Sequence, residues 1–134
     1  MLPILWIWNA WGLVAVRLAV GAILLVHGWP KFSNLKKTAE SFSGMGFKPG
    51  KFWGPLVAVA ECFGGIALLI GFMTQIVAGA LALEFVTILM WRFMKKSPFV
   101  GGYEFDLIIL AALVLLFLAG AGPASLDALL FGAI

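Results

Sequence analysis

The chain has 134 residues, of which 63% are apolar and 11% charged, and its formal net charge is +3. An average soluble domain is about a quarter charged. So few charged side chains cannot coat a soluble domain, and the composition therefore excludes an ordinary soluble protein and predicts a membrane protein. The length suits one transmembrane domain over residues 1–134. The lone cysteine, Cys62, excludes an intrachain disulfide, and no Cys/His pattern indicates a metal site.

The first predicted element is a transmembrane helix over about residues 11–29. Its only ionisable side chains are Arg17 and His27, and about 20 mainly apolar residues suffice to cross a hydrocarbon core. Pro30 has no backbone N–H to donate, so we expect it to end or kink this helix.

A polar loop with one short helix follows the first span. Residues 31–51 contain five lysines against one acid, Glu40. Residues 34–43 have the composition of a short helix on the membrane surface. The glycines and prolines in residues 44–50 then indicate a turn that leads into the next span.

The remaining chain predicts three more membrane spans and a short terminal helix. The spans cover about residues 53–72, 76–93 and 103–119. A tight turn at residues 71–75 makes the second and third spans an antiparallel hairpin. Residues 125–131 predict the terminal helix, with Ser125 as its N-cap. The predicted fold class is therefore all-α: an antiparallel, left-handed membrane four-helix bundle with a short helix in the first loop and a short C-terminal helix.

The basic residues are distributed unequally across the predicted membrane. All lysines and Arg92 lie in or beside the two long loops on one side, whereas the termini and the turn at residues 74–75 carry no lysine or arginine. Positive charge favours the cytoplasmic side. We therefore expect a multi-pass protein of the cell (inner or plasma) membrane, with both long loops in the cytoplasm and both termini outside.

Three ionisable side chains lie in the middle of predicted spans, namely Arg17, Glu61 and Glu84. A charge at the bilayer centre costs about 3 kcal/mol on insertion scales, so such residues face the bundle interior and find partners. We expect Arg17 to pair with Glu61 or Glu84, and the carboxyl group left over to hold a proton. Such a network either fixes helix register or binds or moves a ligand, and the sequence leaves both interpretations open.

Three stretches resemble the DoxX family of small membrane proteins. They are GAILLVHGWPKF (Gly21 to Phe32), VAVAECFGGIALLIGFMTQ (Val57 to Gln75) and GYEFDLIILAALVLLFLAGAGPASLDALL (Gly102 to Leu130). Together they cover most of the chain in the family's order. The resemblance implies a four-helix membrane fold. It also implies a link to quinone-coupled redox chemistry, because the DoxD and DoxA subunits of thiosulfate–quinone oxidoreductase are grouped with these proteins.

The first functional hypothesis, which rests on this resemblance, is a quinone-linked oxidoreductase subunit or redox-complex membrane component. The quinone or quinol would lie in a slot between the first two spans, and electrons would come from a redox partner. His27 and Lys31 would donate hydrogen bonds to quinone oxygens. The candidate catalytic residues are His27, Glu61 and Glu104, and the candidate quinone-binding residues are His27, Trp29, Lys31 and Tyr103.

The alternative hypothesis is a small non-catalytic carrier, receptor or assembly scaffold. In that case Arg17, Glu61 and Glu84 would couple a substrate or fix register. The expected partners are the lipid bilayer, a soluble or membrane redox partner and a second copy of the chain in a homo-oligomer. Nucleic acid is not expected, because basic loops beside a bilayer bind lipid headgroups.

Overall fold

The structure is a computed structural model that describes residue 5 and residues 8–132. It contains four long apolar helices: α1 (Asn9–Ser33), α3 (Gly50–Ile70), α4 (Thr74–Met94) and α5 (Glu104–Ala119). There are also two short helices: α2 (Leu35–Gly44), between α1 and α3, and α6 (Leu126–Phe131), after α5. The described part of the chain contains no strand. The prediction of an all-α fold with four spans and two short helices is confirmed.

Four segments are long and apolar enough to cross a membrane, namely Asn9–Ser33, Gly50–Ile70, Thr74–Met94 and Phe99–Ala119. The fourth combines α5 with a tight helical turn at Phe99–Tyr103 that precedes it. Each predicted span overlaps one of these segments, with ends that differ by about one helical turn or less.

The first helix corrects the prediction for Pro30. We expected this proline to end or kink the helix; the end is wrong, because α1 continues through Pro30 to Ser33, and the kink stays a prediction. Side-chain hydroxyls supply hydrogen bonds to carbonyl groups near this helix end. The Ser33 hydroxyl donates to the Trp29 carbonyl at 2.8 Å, and the Thr38 hydroxyl donates to the Lys31 carbonyl at 2.9 Å. The last turn of α1 is therefore held in place although proline removes one backbone donor.

Glycines bring α1 and α3 into close antiparallel contact. A Cβ atom on Gly21 would lie 2.9 Å from the Gly65 carbonyl oxygen. A Cβ atom on Gly28 would lie 2.6 Å from the Cys62 backbone nitrogen. Neither position has room for a side chain, so the two backbones approach each other directly, as small residues allow in membrane proteins. This contact determines the register of α1 against α3.

The bundle consists of two closely packed helix pairs, α1 with α3 and α4 with α5. The helices α3 and α4 are consecutive but pack against each other much less extensively than either of those pairs. Leu24, Leu68, Leu81 and Leu113 are almost completely buried and belong to the core that joins the two pairs. The sparse contact between α3 and α4 leaves space for a cavity.

At the end of the bundle near the α3–α4 turn, the C-terminal segment is tied to the helices. Asp127 Oδ1 accepts a hydrogen bond from the Met73 nitrogen at 2.6 Å, and its Oδ2 accepts one from the Thr74 nitrogen at 2.8 Å. Arg17 donates through Nη2 to the Ala124 carbonyl at 3.0 Å. We call this group of residues, Arg17, Gly71, Thr74, Ala124 and Asp127, the turn-side clasp.

At the opposite end, α2 covers the bundle. It packs mainly against α3, because Gly50 and Gly54 leave room for the Ala39 backbone. The segment after α2 is bound to α4, since Trp91 Nε1 donates to the Met45 carbonyl at 3.1 Å. The long loops lie at this end, which we call the loop side.

Candidate functional site

A cavity of about 860 Å³ lies in the loop-side half of the bundle. Helices α3 and α4 form two of its walls, α1 and α5 contribute residues to its inner side, and α2 with the following segment covers its loop-side end. Most of its wall is apolar and aromatic, including Phe42, Phe47, Phe85 and Trp91. A mostly apolar cavity of this size with a few converging polar groups is typical of a small-molecule site.

A buried ion pair lies in the cavity wall. Lys31 Nζ is 2.8 Å from Glu61 Oε1 and 2.7 Å from Glu61 Oε2. The Glu61 side chain is 3% exposed and that of Lys31 is 34% exposed. The close contact of Gly28 with the backbone at Glu61 and Cys62 explains the geometry, because Lys31 lies about one helical turn beyond Gly28 on the same face of α1.

A second carboxyl group, that of Glu84 on α4, lies beside this ion pair. It lies close enough to Glu61 and Lys31 for the charges of both residues to act on it. Glu84 Oε1 is buried and has no hydrogen-bond partner among residues 8–132. One lysine cannot neutralise two carboxylates. The cluster Lys31–Glu61–Glu84 therefore combines a cation, two neighbouring carboxyl groups and a buried oxygen without a hydrogen-bond partner among the described residues.

A second ion pair joins α4 to α5 at the same cavity. Arg92 Nε lies 2.5 Å from Asp106 Oδ2, and both residues line the cavity. The contact is a charge pair rather than an aligned hydrogen bond, since neither atom meets hydrogen-bond geometry. Because this pair lies between α4 and α5, each closely packed helix pair of the bundle carries one ion pair toward the loop side.

His27 lies at the edge of the cavity. Its side chain is exposed, and its ring packs against Phe105 with the ring centroids 5.7 Å apart. His27 and Lys31 both line the cavity, so the structure brings these two predicted donors together with Glu61.

Three other predicted site residues do not line the cavity, namely Trp29, Tyr103 and Glu104. Trp29 is 59% exposed. Tyr103 packs against Phe93, with ring centroids 4.7 Å apart. Glu104 Oε1 accepts a hydrogen bond from the Gly101 nitrogen at 3.1 Å. The structure therefore places none of these three side chains beside the cluster.

The predicted pairing of Arg17 with Glu61 or Glu84 is wrong. The glycine contacts place Gly21 opposite Gly65, so the residue one turn earlier, Arg17, lies next to Gly71 in the turn-side clasp. Lys31, at the other end of α1, pairs with Glu61 instead. The sequence placed Arg17 in the middle of the first span but could not supply the register of that helix against the others.

The predicted slot between the first two spans is also corrected. Those spans are α1 and α3, whose backbones are in direct contact at Gly21 and Gly28. The cavity lies instead toward α4. Sequence reasoning missed its α4 wall, which contains Glu84, Ile88 and Trp91. A usable signal existed, because a spacing of four and then three residues places these side chains on one helix face.

The comparisons with known proteins give one family and two relatives. The DoxX family model matches residues 12–94. The chain is 31% identical over 120 residues to "Putative oxidoreductase CatD" of Bacillus subtilis, covering 90% of this chain and 87% of that protein. It is 32% identical over 124 residues to "Inner membrane protein YqjF" of Escherichia coli, covering 89% of this chain and 92% of that protein. No solved structure matches the chain.

Proposed function

The chain belongs to the DoxX family and is a multi-pass membrane protein, and we propose that it binds a quinone as the membrane component of a quinone-linked oxidoreductase. The single observation that carries the proposal is the cluster Lys31–Glu61–Glu84 in the wall of an otherwise largely apolar cavity. The name of the relative CatD, which describes an oxidoreductase, supports the same class of chemistry.

The residues of the cavity fit a quinone. A quinone ring is apolar on its faces and has carbonyl oxygens at its edge, so it needs apolar walls and a few donors. Trp91, Phe47 and Phe42 provide aromatic surface, and Lys31 provides the donor. The unpartnered Glu84 Oε1 fits the quinol form, because a quinol hydroxyl donates a hydrogen bond that this oxygen accepts.

Quinone reduction takes up two electrons and two protons, and the chain supplies groups for the protons. Glu84 and Glu61 are adjacent, so a proton given up by one is replaced through the other. Lys31 holds Glu61 in place and is partly exposed, which connects the pair to loop-side water. The two electrons come from a soluble or membrane redox partner in this proposal. His27, at the cavity edge, is the second candidate donor to a quinone oxygen.

The proposed location is the cell (inner or plasma) membrane, with both long loops in the cytoplasm. The name of the relative YqjF supports an inner membrane location. The basic residues at the loop-side end of the cavity, such as Lys37, support the orientation, because positive charge favours the cytoplasmic side.

The test is quinone binding by the purified protein in lipid nanodiscs. Trp53 and Trp91 line the cavity, so quenching of their fluorescence by an added benzoquinone reports binding. We expect Lys31→Met and Glu84→Gln to weaken binding by about tenfold, equivalent to roughly one lost charged hydrogen bond. Glu104→Gln is the matched control, because Glu104 does not line the cavity. Equal binding by all three variants and the wild type contradicts the proposal.

A non-catalytic carrier is the second candidate, and one observation favours it. A buried carboxyl pair beside a single lysine, in a cavity near the membrane surface, is also suited to exchange a proton for a substrate. Proteoliposomes separate the two functions. Quinone-independent proton uptake that disappears in Glu84→Gln supports the carrier, whereas its absence in the wild type rejects it.

A further inference from the structure

We infer that the cavity selects a ligand with a long apolar tail, and that the tail leaves through a window between α3 and α4 bordered by Ala60 and Ala80. The inference rests on the proposed function, which concerns the quinone headgroup. It adds a binding path for the apolar tail, which determines the affinity. It makes Ala60 and Ala80 specificity-determining residues and makes the bilayer the source of the ligand.

The cavity reaches the membrane-facing surface between α3 and α4. Leu56 on α3 and Leu83 on α4 both line it, yet they are 47% and 71% exposed on the outside of the bundle. Ala80 and Thr87 are likewise exposed and line the cavity. Side chains that contribute both to a cavity wall and to the outer surface mark an opening. In this protein that opening faces lipid, because α3 and α4 are membrane-spanning helices.

Direct contacts cross the other boundaries of the cavity. Between α1 and α5, which also pack sparsely, the exposed rings of His27 and Phe105 lie against each other with their centroids 5.7 Å apart. The α1–α3 boundary is closed where Gly28 meets the backbone of Glu61 and Cys62. On the loop side, α2 packs on α3, and Trp91 holds the Met45 carbonyl at 3.1 Å. The sparse packing between α3 and α4 therefore leaves their boundary as the favoured exit.

The cavity volume limits how much of a ligand it encloses. Ligand cavities of about 300–1,000 Å³ enclose molecules of drug size, and this cavity has a volume of about 860 Å³. A ring and the first part of a tail fill such a space, and the rest of a longer tail projects outward. Alanine at positions 60 and 80 keeps the window free of large side chains, and a projecting tail there contacts lipid, which costs no exposure to water.

The experiment compares two probes that share one headgroup. One is a dimethoxy-methyl benzoquinone with no tail, and the other is its decyl derivative. Binding to the full chain in nanodiscs is measured by calorimetry, with each affinity expressed against the probe concentration in the lipid phase, so that partitioning alone creates no tail preference. The variants are Ala80→Trp and Thr87→Trp, at exposed positions that line the cavity, whereas Ala60 also packs against the core and is left unchanged. Ala19→Trp is the control, because Ala19 is exposed on α1 and does not line the cavity.

We expect the decyl probe to bind the wild type at least about tenfold more tightly than the tail-less probe. Either window variant should remove that advantage while leaving the affinity for the tail-less probe within about threefold of the wild type. Ala19→Trp should change neither affinity. A decyl derivative with a photoreactive tail end gives a second measurement that needs no variant, and it should label α3 or α4.

Two results overturn the inference and are distinguishable from failure of the proposed function. In the first, the wild type binds the tail-less probe and the decyl probe with equal affinity. In the second, the photoreactive probe labels only α2. Either result shows that the ring binds but the tail does not leave through the window. Binding of neither probe to the wild type rejects the proposed function, and the inference is rejected with it.

Discussion

The two ends of the bundle use buried charged residues in different ways. In the turn-side clasp, both oxygens of Asp127 accept backbone hydrogen bonds and Arg17 Nη2 donates to the Ala124 carbonyl, while Arg17 Nε and Nη1 and Thr74 Oγ1 have no partner among the described residues. None of these residues lines the cavity. In the loop-side half, Glu84 has an unpartnered oxygen beside a cavity of about 860 Å³. The clasp has the features of a packed structural joint, whereas the cluster Lys31–Glu61–Glu84 is left open to a ligand.

This difference has an energetic basis. A buried ion pair often contributes little more to stability than apolar side chains of the same volume, although removing one partner is costly. The Lys31–Glu61 pair is therefore poorly explained by stability alone. The capping of Met73 and Thr74 by Asp127 connects two segments and needs no ligand to explain it. Variants at the two ends should separate stability from binding.

The largest effect on stability should come from Lys31→Met, which leaves Glu61 buried without its cation. We expect the free energy of unfolding to fall by about 3 kcal/mol, the lower end for a broken buried pair, because the Lys31 side chain is 34% exposed. Unfolding in mixed detergent micelles measures the change, and quinone binding should also weaken by about tenfold.

The double variant Lys31→Met/Glu61→Gln provides the control. Without either charge, the stability should return to within about 1 kcal/mol of the wild type, since no unpaired ion remains. Quinone binding should stay weakened. A double variant that is as unstable as the single variant would show that the pair is primarily structural.

The next effect should come from Gly28→Ala, because its Cβ would lie 2.6 Å from the Cys62 nitrogen. We expect a loss of about 2 kcal/mol, typical of overpacking, and weaker quinone binding, since separating α1 from α3 also moves Lys31 away from Glu61. Gly21→Ala is the matched control. Its Cβ would lie 2.9 Å from the Gly65 oxygen, outside the cavity, so it should lower stability and leave binding unchanged. Equal binding losses in both would contradict this assignment.

Much of the fold followed from the sequence, because span length and charge-free stretches are local properties. The short helices and the Ser125 cap were also local, and Ser125 Oγ accepts a hydrogen bond from the Ala128 nitrogen at 3.1 Å. The family resemblance correctly indicated the DoxX family.

The pairing of charges did not follow from the sequence. Depth along each helix can be estimated from its rise, but register depends on how closely two backbones approach. Nothing in the sequence distinguishes Gly28 from the other glycines, yet its contact with α3 selects Lys31 over Arg17 as the partner of Glu61. The α4 wall was missed although the spacing of Glu84, Ile88 and Trp91 places them on one helix face, since that spacing does not show that the face borders a cavity.

The turn-side clasp should respond to Asp127→Ala with a loss of about 1.5 kcal/mol, because two backbone donors lose their acceptor. The same unfolding measurement applies. Quinone affinity should be unchanged, since the clasp lies at the far end of the bundle from the cavity. Glu104→Gln removes another acidic charge outside the cavity and should change neither property. A drop in quinone affinity in Asp127→Ala would show that the two ends are coupled.

The smallest effect should come from Trp91→Phe, which keeps the aromatic wall but removes the hydrogen bond to the Met45 carbonyl. We expect a loss of about 1 kcal/mol, concentrated in the cover formed by α2 and the segment after it. Hydrogen exchange should therefore accelerate in residues 42–47 but not in residues 71–75. If the ligand enters from lipid, loosening this cover should leave the affinity for the decyl quinone nearly unchanged. A large change in its affinity would indicate that the ligand instead passes beneath α2.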